Sequence, residues 1–347
     1  MFLSSLKKYS FFAVSTVYFS VVFFSLFNYR DHCIFTHPKT LLDFKHLSDS
    51  DVVDVCRPKI SDLDVINIDI VNAFDMDHMA HKYLFVKRGG HSSPKDCKSY
   101  QKVAIIVPYR DRMHHLKILL NRLHPMLYKQ QIEYRIFLVE QSGNDRFNRG
   151  KLMNVGFTEA LKYDNFDCFV FHDADLLPEN DKNLYFCDNN VRQLSSAIDE
   201  MRYHVMYYNY AGGVVATKKE TFMKINGYAN SYWGWGNEDD DFSARLQSSG
   251  IFLTRPPEYI GRFKMVRHKK ETRAEHGYGS FLGWRGRWLN DGLNTPKTMN
   301  YSVISEHDEL LYTNITVDLG PSMGHMVNLA DDTTHESTFW FLRFYFP

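Results

Sequence analysis

Val103-Ala104-Ile105-Ile106-Val107 is a continuous apolar run that stops abruptly at Pro108-Tyr109-Arg110-Asp111-Arg112. A run without polar alternation is the mark of a strand covered on both faces. Working outward, Leu116 to Leu123 carries helical spacing and Tyr134 to Glu140 reads as a second strand. Arg149 to Leu161 reads as a helix, with Leu152, Val155 and Leu161 among its apolar positions. Cys168 to Phe171 is a third strand, ending at His172-Asp173-Ala174-Asp175. Strand, helix, strand, helix, strand at this spacing predicts an α/β fold with a largely parallel sheet. Beyond residue 200 the pattern is less regular. A strand is expected over Tyr210 to Ala216, a short helix over Thr221 to Ile225, and a helix over Asp239 to Gln247.

Polar residues gather just after the strand ends, where open α/β sheets bind ligands. No GxGxxG follows the first strand, and neither a P-loop nor a Gly-x-Ser-x-Gly elbow is present. The chain has 347 residues, enough for one domain of about 230 to 250 residues plus extra segments. Its 41 basic and 41 acidic side chains balance to a net charge of +0, which removes the electrostatic footprint of a general nucleic-acid binder. Aromatics reach 15 %, an enrichment common where sugars or membranes are handled.

Near the N-terminus, Lys7 and Lys8 precede an uncharged run from Tyr9 to Phe27. At 1.5 Å per residue it extends about 28 Å, close to the thickness of a thin bilayer core. The run exceeds a usual signal-peptide core and lacks a small-x-small cleavage site, which favours a signal anchor over a cleaved leader. The expected organisation is a cytosolic tail (1–8), a transmembrane anchor (9–29), a luminal stem (30–95), a catalytic domain (96–325) and a C-terminal extension (326–347). In an oxidising lumen the five cysteines, 33, 56, 97, 168 and 187, leave one over, and Cys33 is the natural candidate. The absence of a CxxC pair argues against structural zinc. Asn300-Tyr301-Ser302 and Asn314-Ile315-Thr316 are possible glycosylation sites.

Two stretches carry candidate chemistry. Asp173-Ala174-Asp175 places two carboxylates just past an apolar strand, where they can reach a divalent cation and the phosphates around it. Tyr232-Trp233-Gly234-Trp235-Gly236-Asn237-Glu238-Asp239-Asp240-Asp241 sets two indoles among glycines before four consecutive acids. The bland reading of such a run is a solvated acidic face. The indoles between hinges favour instead a lid that stacks on a ligand beside a working carboxylate. Met265 and His268, three residues apart, can face one centre.

These stretches, with Phe147-Asn148-Arg149-Gly150-Lys151-Leu152-Met153-Asn154-Val155-Gly156 and Asp291-Gly292-Leu293-Asn294, occur together and in order. Over roughly residues 97 to 320 the chain strongly resembles the β-1,4-galactosyltransferase family, type II membrane glycosyltransferases of the Golgi. The resemblance implies a glycosyltransferase-A fold, with one mixed central sheet and helices on both sides. It also implies Mn²⁺, a UDP-sugar donor and inversion at the transferred anomeric carbon. Asp175, Met265 and His268 are then the metal ligands. Pro108, Arg110, Arg112, Phe147, Arg149, Asp173, Ala174 and Asp175 surround the nucleotide. Trp235 is the lid and a donor contact, Glu238 holds substrate, and Asp239 is the general base. Tyr207, Tyr210, Gly213 and Asp240 bear on substrate choice, and tyrosine at 210 goes with galactose rather than N-acetylgalactosamine. The same resemblance pairs Cys56 with Cys97 and Cys168 with Cys187.

The implied reaction transfers galactose from UDP-galactose to the 4-hydroxyl of a terminal N-acetylglucosamine on a glycan. An N-acetylgalactosaminyltransferase and a catalytically idle luminal binding protein are the alternatives. Residues 269–290 depart from the family pattern in being slightly shorter and richer in Gly and Trp, which bears on the acceptor.

Overall fold

The strand formed by Lys102–Tyr109 explains its own sequence. The computed structural model describes residues 34–35, 55–58, 60–71, 75–268 and 281–321. In chain order its elements are β1 (Ile34–Phe35), α1 (Met76–Lys82), β2 (His91–Ser92), β3 (Lys102–Tyr109), α2 (Met113–Lys129), β4 (Glu133–Gln141), α3 (Arg149–Ala160), β5 (Cys168–Phe171), β6 (Leu176–Pro178) and β7 (Val191–Gln193). There follow β8 (Ala197–Ile198), β9 (Val215–Lys218), α4 (Lys219–Lys224), α5 (Glu238–Ser248), β10 (Leu253–Arg255), β11 (Arg262–Met265), α6 (Trp284–Arg287), β12 (Ser302–Asp308) and β13 (Thr313–Asp318). Side chains alternate across a strand. Val103, Ile105 and Val107 therefore join one core with Leu116, Leu119 and Leu123 of α2. Ala104 and Ile106 join the other, with Leu152 and Val155 of α3 and with Phe169 and Phe171. Both faces are covered from Val103 to Val107, so no polar position was available along that run.

The main sheet runs β10-β7-β9-β5-β3-β4-β13-β12, with β2 added on β4. β5, β3, β4 and β13 are parallel neighbours, whereas β9 lies antiparallel to both β5 and β7. The sheet is thus mixed, with helices on both faces. A second sheet, β6-β11-β8, pairs β11 antiparallel to β6 and parallel to β8. Helix α3 approaches the main sheet at Gly156, where an added Cβ would meet Ile106 Cγ2 at 2.3 Å and Val139 Cγ2 at 2.8 Å. Cys56 is bonded to Cys97, and Cys168 to Cys187.

Residues 35–323 form one compact unit; the other, 1–34 with 324–347, lies outside the described residues apart from Ile34. The anchor expected over 9–29 and the extension expected over 326–347 therefore fall outside them. Among the described residues no helix is long and apolar enough to cross a membrane. That finding corrects the expectation of a transmembrane anchor with single-pass Golgi topology: the fold class is a glycosyltransferase-A-like mixed sheet with flanking helices. Within the segment expected to be stem, Leu63, Met79 and Tyr83 are buried in the same core as β3 and α2.

One strand begins later than its pattern indicated. Residues 210–214 are irregular and β9 starts at Val215, because Gly213 turns the chain at φ 79° beneath Ser195. Asn300 is exposed ahead of β12. Asn314 lies within β13, where its amide nitrogen donates to Glu140 Oε2 at 3.3 Å.

Candidate active site

The site forms where β3, β4 and β5 end, the edge at which parallel strands leave room for a ligand. Strand β5 delivers Asp173 and Asp175, and α3 begins with Arg149 beside them. Arg149 Nε donates to Asp173 Oδ1 at 2.6 Å, its Nη2 donates to Gly213 O at 3.1 Å, and its Nη1 lies 3.4 Å from Glu238 Oε1. One guanidinium therefore joins the acids after β5 to the acids that open α5. Burial raises the Asp173 carboxyl to about 6, against the opposing pull of Arg149.

Asp175 stands where the small sheet begins. Met265 pairs in register with Leu176, and Val266 N–H donates to Asp175 O at 2.8 Å. This pairing carries the chain to His268, whose Nε2 lies 2.8 Å from Asp175 Oδ2. Asp175, Met265 and His268 come together although 90 residues separate Asp175 from Met265. Among the described residues no group of three His, Cys, Asp or Glu side chains has the spacing to hold a metal ion. A cation here depends on the Met265 thioether or on ligand oxygens to complete its shell.

On the other side of Arg149, α5 opens with Glu238, Asp239, Asp240 and Asp241, acids at the end of a helix that favours negative charge. They do four different things. Asp241 is fully buried and accepts from Arg245 Nε at 2.6 Å and from the Tyr232 hydroxyl at 2.9 Å. Asp240 accepts from the Tyr207 hydroxyl at 2.6 Å. Glu238 faces Arg149, while its Oε2 is shielded from solvent with no hydrogen-bond partner. Asp239 has its carboxyl pushed well above the usual carboxylate range, first by burial and then by Glu238 and Asp240. A carboxylate so raised is a stronger base than a free one.

Before these acids the chain turns through Gly234 (φ 92°) and Gly236 (φ 111°), conformations that side chains rarely adopt. Trp235 between them is 55 % exposed. Gly234 N–H donates to Phe147 O at 2.8 Å, so the tryptophan loop rests on the loop ahead of Arg149. There the Arg110 guanidinium lies 5.4 Å from the centre of the Phe147 ring. Pro108, next to last in β3, pairs in register with Val139, and Arg112 takes the N-cap position of α2 without a side-chain capping bond. Ala174 is half-buried between the two acids.

Tyr210 meets Tyr207 edge to face, with ring centres 5.4 Å apart. Its phenol lies against Gly212, where a Cβ would approach it to 2.6 Å. Sequence reading overlooked what holds this loop. The buried Arg255 donates through Nη2 to Tyr208 O and Tyr210 O, both at 2.8 Å, and through Nε to Gln193 Oε1 at 2.6 Å. Arginine at the end of a three-residue strand carries no motif; only the fully buried charge gives it away. Arg287, which donates to the Tyr232 hydroxyl at 3.1 Å and to Asp291 Oδ2 at 3.0 Å, was overlooked for the same reason.

Comparison with known proteins agrees with this geometry. Residues 56–188 match the N-terminal region of glycosyl transferase group 7, and residues 192–269 match a profile described as the N-terminal domain of galactosyltransferase. β-1,4-Galactosyltransferase 1 of Mus musculus is 43 % identical over 256 residues, covering 73 % of this chain and 63 % of the mouse protein. β-1,4-Galactosyltransferase 3 of Cricetulus griseus is 43 % identical over 239 residues, 68 % of this chain and 60 % of that protein. The chain thus spans about three-fifths of the length of these relatives. The catalytic domain of Drosophila β-1,4-galactosyltransferase 7, solved as a complex with xylobiose, aligns with a TM-score of 0.54 and 28 % identity, covering 63 % of this chain and 94 % of that one. With its strand-end acids, its tryptophan loop and these relatives, the chain belongs to the β-1,4-galactosyltransferase family.

Proposed function

We propose that this protein transfers galactose from UDP-galactose to the 4-hydroxyl of a terminal N-acetylglucosamine, with inversion and with Mn²⁺. The observation that carries the reading is Arg149, which links Asp173 on the diphosphate side to Glu238 on the acceptor side. Mn²⁺ fits the donor set. Two ligands at about 2.1 Å on an octahedral ion are about 3 Å apart, and Asp175 Oδ2 and His268 Nε2 are separated by 2.8 Å. Asp175, His268 and Met265 would hold the ion, the soft thioether being the weakest of the three. Bound there, Mn²⁺ supplies positive charge against the leaving diphosphate.

The protein's own groups do the rest. Phe147 and Arg110 offer a flat face and a cation to the base and ribose, with Pro108 and Arg112 beside them, and Arg149 holds Asp173 in place on the diphosphate side. Glu238 presents its unpartnered Oε2 to an acceptor hydroxyl. Asp239 takes the proton of the 4-hydroxyl as that oxygen bonds to the anomeric carbon. The bond from that carbon to the UDP oxygen breaks on the opposite face, and UDP leaves with the electron pair. Trp235, carried between Gly234 and Gly236, closes over the donor and excludes water, whose attack would waste it. Tyr210, backed by Gly212 and held through Arg255, leaves little room for an acetamido group beside the sugar. Gly213 and Tyr207 shape the same wall, and Tyr207 also orients Asp240.

The test is a donor panel with a GlcNAc-terminated acceptor. The expected result is Mn²⁺-dependent transfer with UDP-galactose preferred over UDP-N-acetylgalactosamine. Equal or reversed preference would overturn the donor assignment. Binding of Mn²⁺ and UDP without transfer to any glycan would favour an idle binding protein.

A further inference from the structure

His115 lies in the first turn of α2, and its ring stands against that of His268. The two ring centres are 5.8 Å apart at an interplanar angle of 69°. Both His115 ring nitrogens are shielded from solvent, and neither has a hydrogen-bond partner. Buried polar groups in native proteins are nearly always paired, and an orphan forfeits its hydration without return. His115 contrasts with the other buried imidazoles. His124 is bonded to the Tyr134 hydroxyl and Leu311 O, and His172 to the Tyr185 hydroxyl and Asp173 O. Those two rings are structural; His115 has no such duty.

What faces His115 narrows its partner. Arg112 and His114 come from its own chain segment, and His268 and Asp175 from the elements packed against it. An imidazole in its neutral form offers one N–H and one lone pair. A role as third ion ligand is disfavoured, since His115, His268 and Asp175 do not form a group with ion-holding spacing. An anion bound beside Arg112 and His268 would instead give the unpartnered His115 N–H an acceptor.

We propose that His115 is a diphosphate-binding residue, donating its ring N–H to a phosphate oxygen of the bound nucleotide diphosphate. This rests on the transfer reading above and deepens it, because it adds to the leaving-group side a donor that no motif signalled. An imidazole N–H directed at a phosphate oxygen stabilises charge on the departing diphosphate.

The experiment compares the wild-type chain with His115→Ala, His115→Gln and His115→Phe. Two affinities are measured for each: Mn²⁺ alone by electron paramagnetic resonance, and UDP in saturating Mn²⁺ by calorimetry. His115→Ala is expected to weaken UDP binding about tenfold or more, the scale of a lost hydrogen bond to a charged group, with Mn²⁺ affinity within about twofold of wild type. His115→Gln, which keeps an N–H donor, recovers most of the UDP affinity. His115→Phe keeps the ring without nitrogen, and carries the same comparison should the alanine variant not fold. Unchanged UDP affinity in the Ala and Phe variants would overturn the proposal. So would an equal loss of Mn²⁺ affinity, which would make His115 a metal ligand. A wild-type chain that fails to bind UDP with Mn²⁺ would overturn the transfer reading itself, a distinct outcome.

Discussion

Asp175 and His268 flank the ends of two paired strands, whereas Asp239 stands at the start of a helix entered through two glycines at positive φ. The first wall is fixed by backbone register: β11 against β6 leaves the Asp175 carbonyl no freedom once Val266 is bonded to it. The second is fixed at its base, by Asp241 and Arg245, and left adjustable at its tip, where Trp235 is exposed. Such a division suits a transferase. The nucleotide needs a preformed seat, while the acceptor must enter before water is shut out.

The sharpest way to break this comparison is to remove chemistry from the second wall while sparing the first. Asp239→Asn is expected to lower kcat about 10²- to 10⁴-fold, the usual contribution of a positioned base, with UDP affinity in Mn²⁺ unchanged. Loss of nucleotide binding in that variant would mean that the two walls are not separable. Next in size, Arg245→Met leaves the Asp241 carboxylate buried without its main partner. It is expected to cost about 3–5 kcal/mol of folding stability in a denaturant titration, and a near-neutral result would show that Arg287 holds α5 alone. A smaller effect is expected from Gly236→Ala, where the φ of 111° costs a side chain about 1–3 kcal/mol. The open space around that Cα means the effect comes from backbone conformation alone. It should lower kcat and leave UDP binding intact.

The least effect is one of pH. In the proposed mechanism Asp239 would work as a base only above its raised pKa, so kcat is expected to fall on the acid side of the profile. Asp240 is one of the charges that raise it. Asp240→Asn removes that charge, the Asp239 pKa drops, and the acid limb of kcat moves to lower pH. A shift toward higher pH would show that another group carries the limb.

The two walls also differ in how much of them a sequence discloses. The runs at Val103 and Cys168 give the strand ends directly, and Asp173 with Asp175 sits just where such ends bind ligands. The acids of 238–241 and the glycines before them are equally plain in one dimension. What joins Asp175 to Met265 is not, because β6 and β11 are too short to carry a pattern and meet only through long-range pairing. Arg255 and Arg287 are hidden for a related reason: an arginine that holds carbonyls, as Arg255 does, or a hydroxyl and a carboxylate, as Arg287 does, looks like any surface arginine until the fold surrounds it. The late start of β9 follows from Gly213, whose positive φ no apolar run reveals.

The most direct test of two walls facing each other across one sugar is the anomeric configuration of the product, read by proton nuclear magnetic resonance after transfer from α-linked UDP-galactose. With the diphosphate on the Asp175 side and the attacking hydroxyl on the Asp239 side, a single displacement gives a β linkage. An α-linked product would place base and leaving group on the same face and contradict the arrangement described.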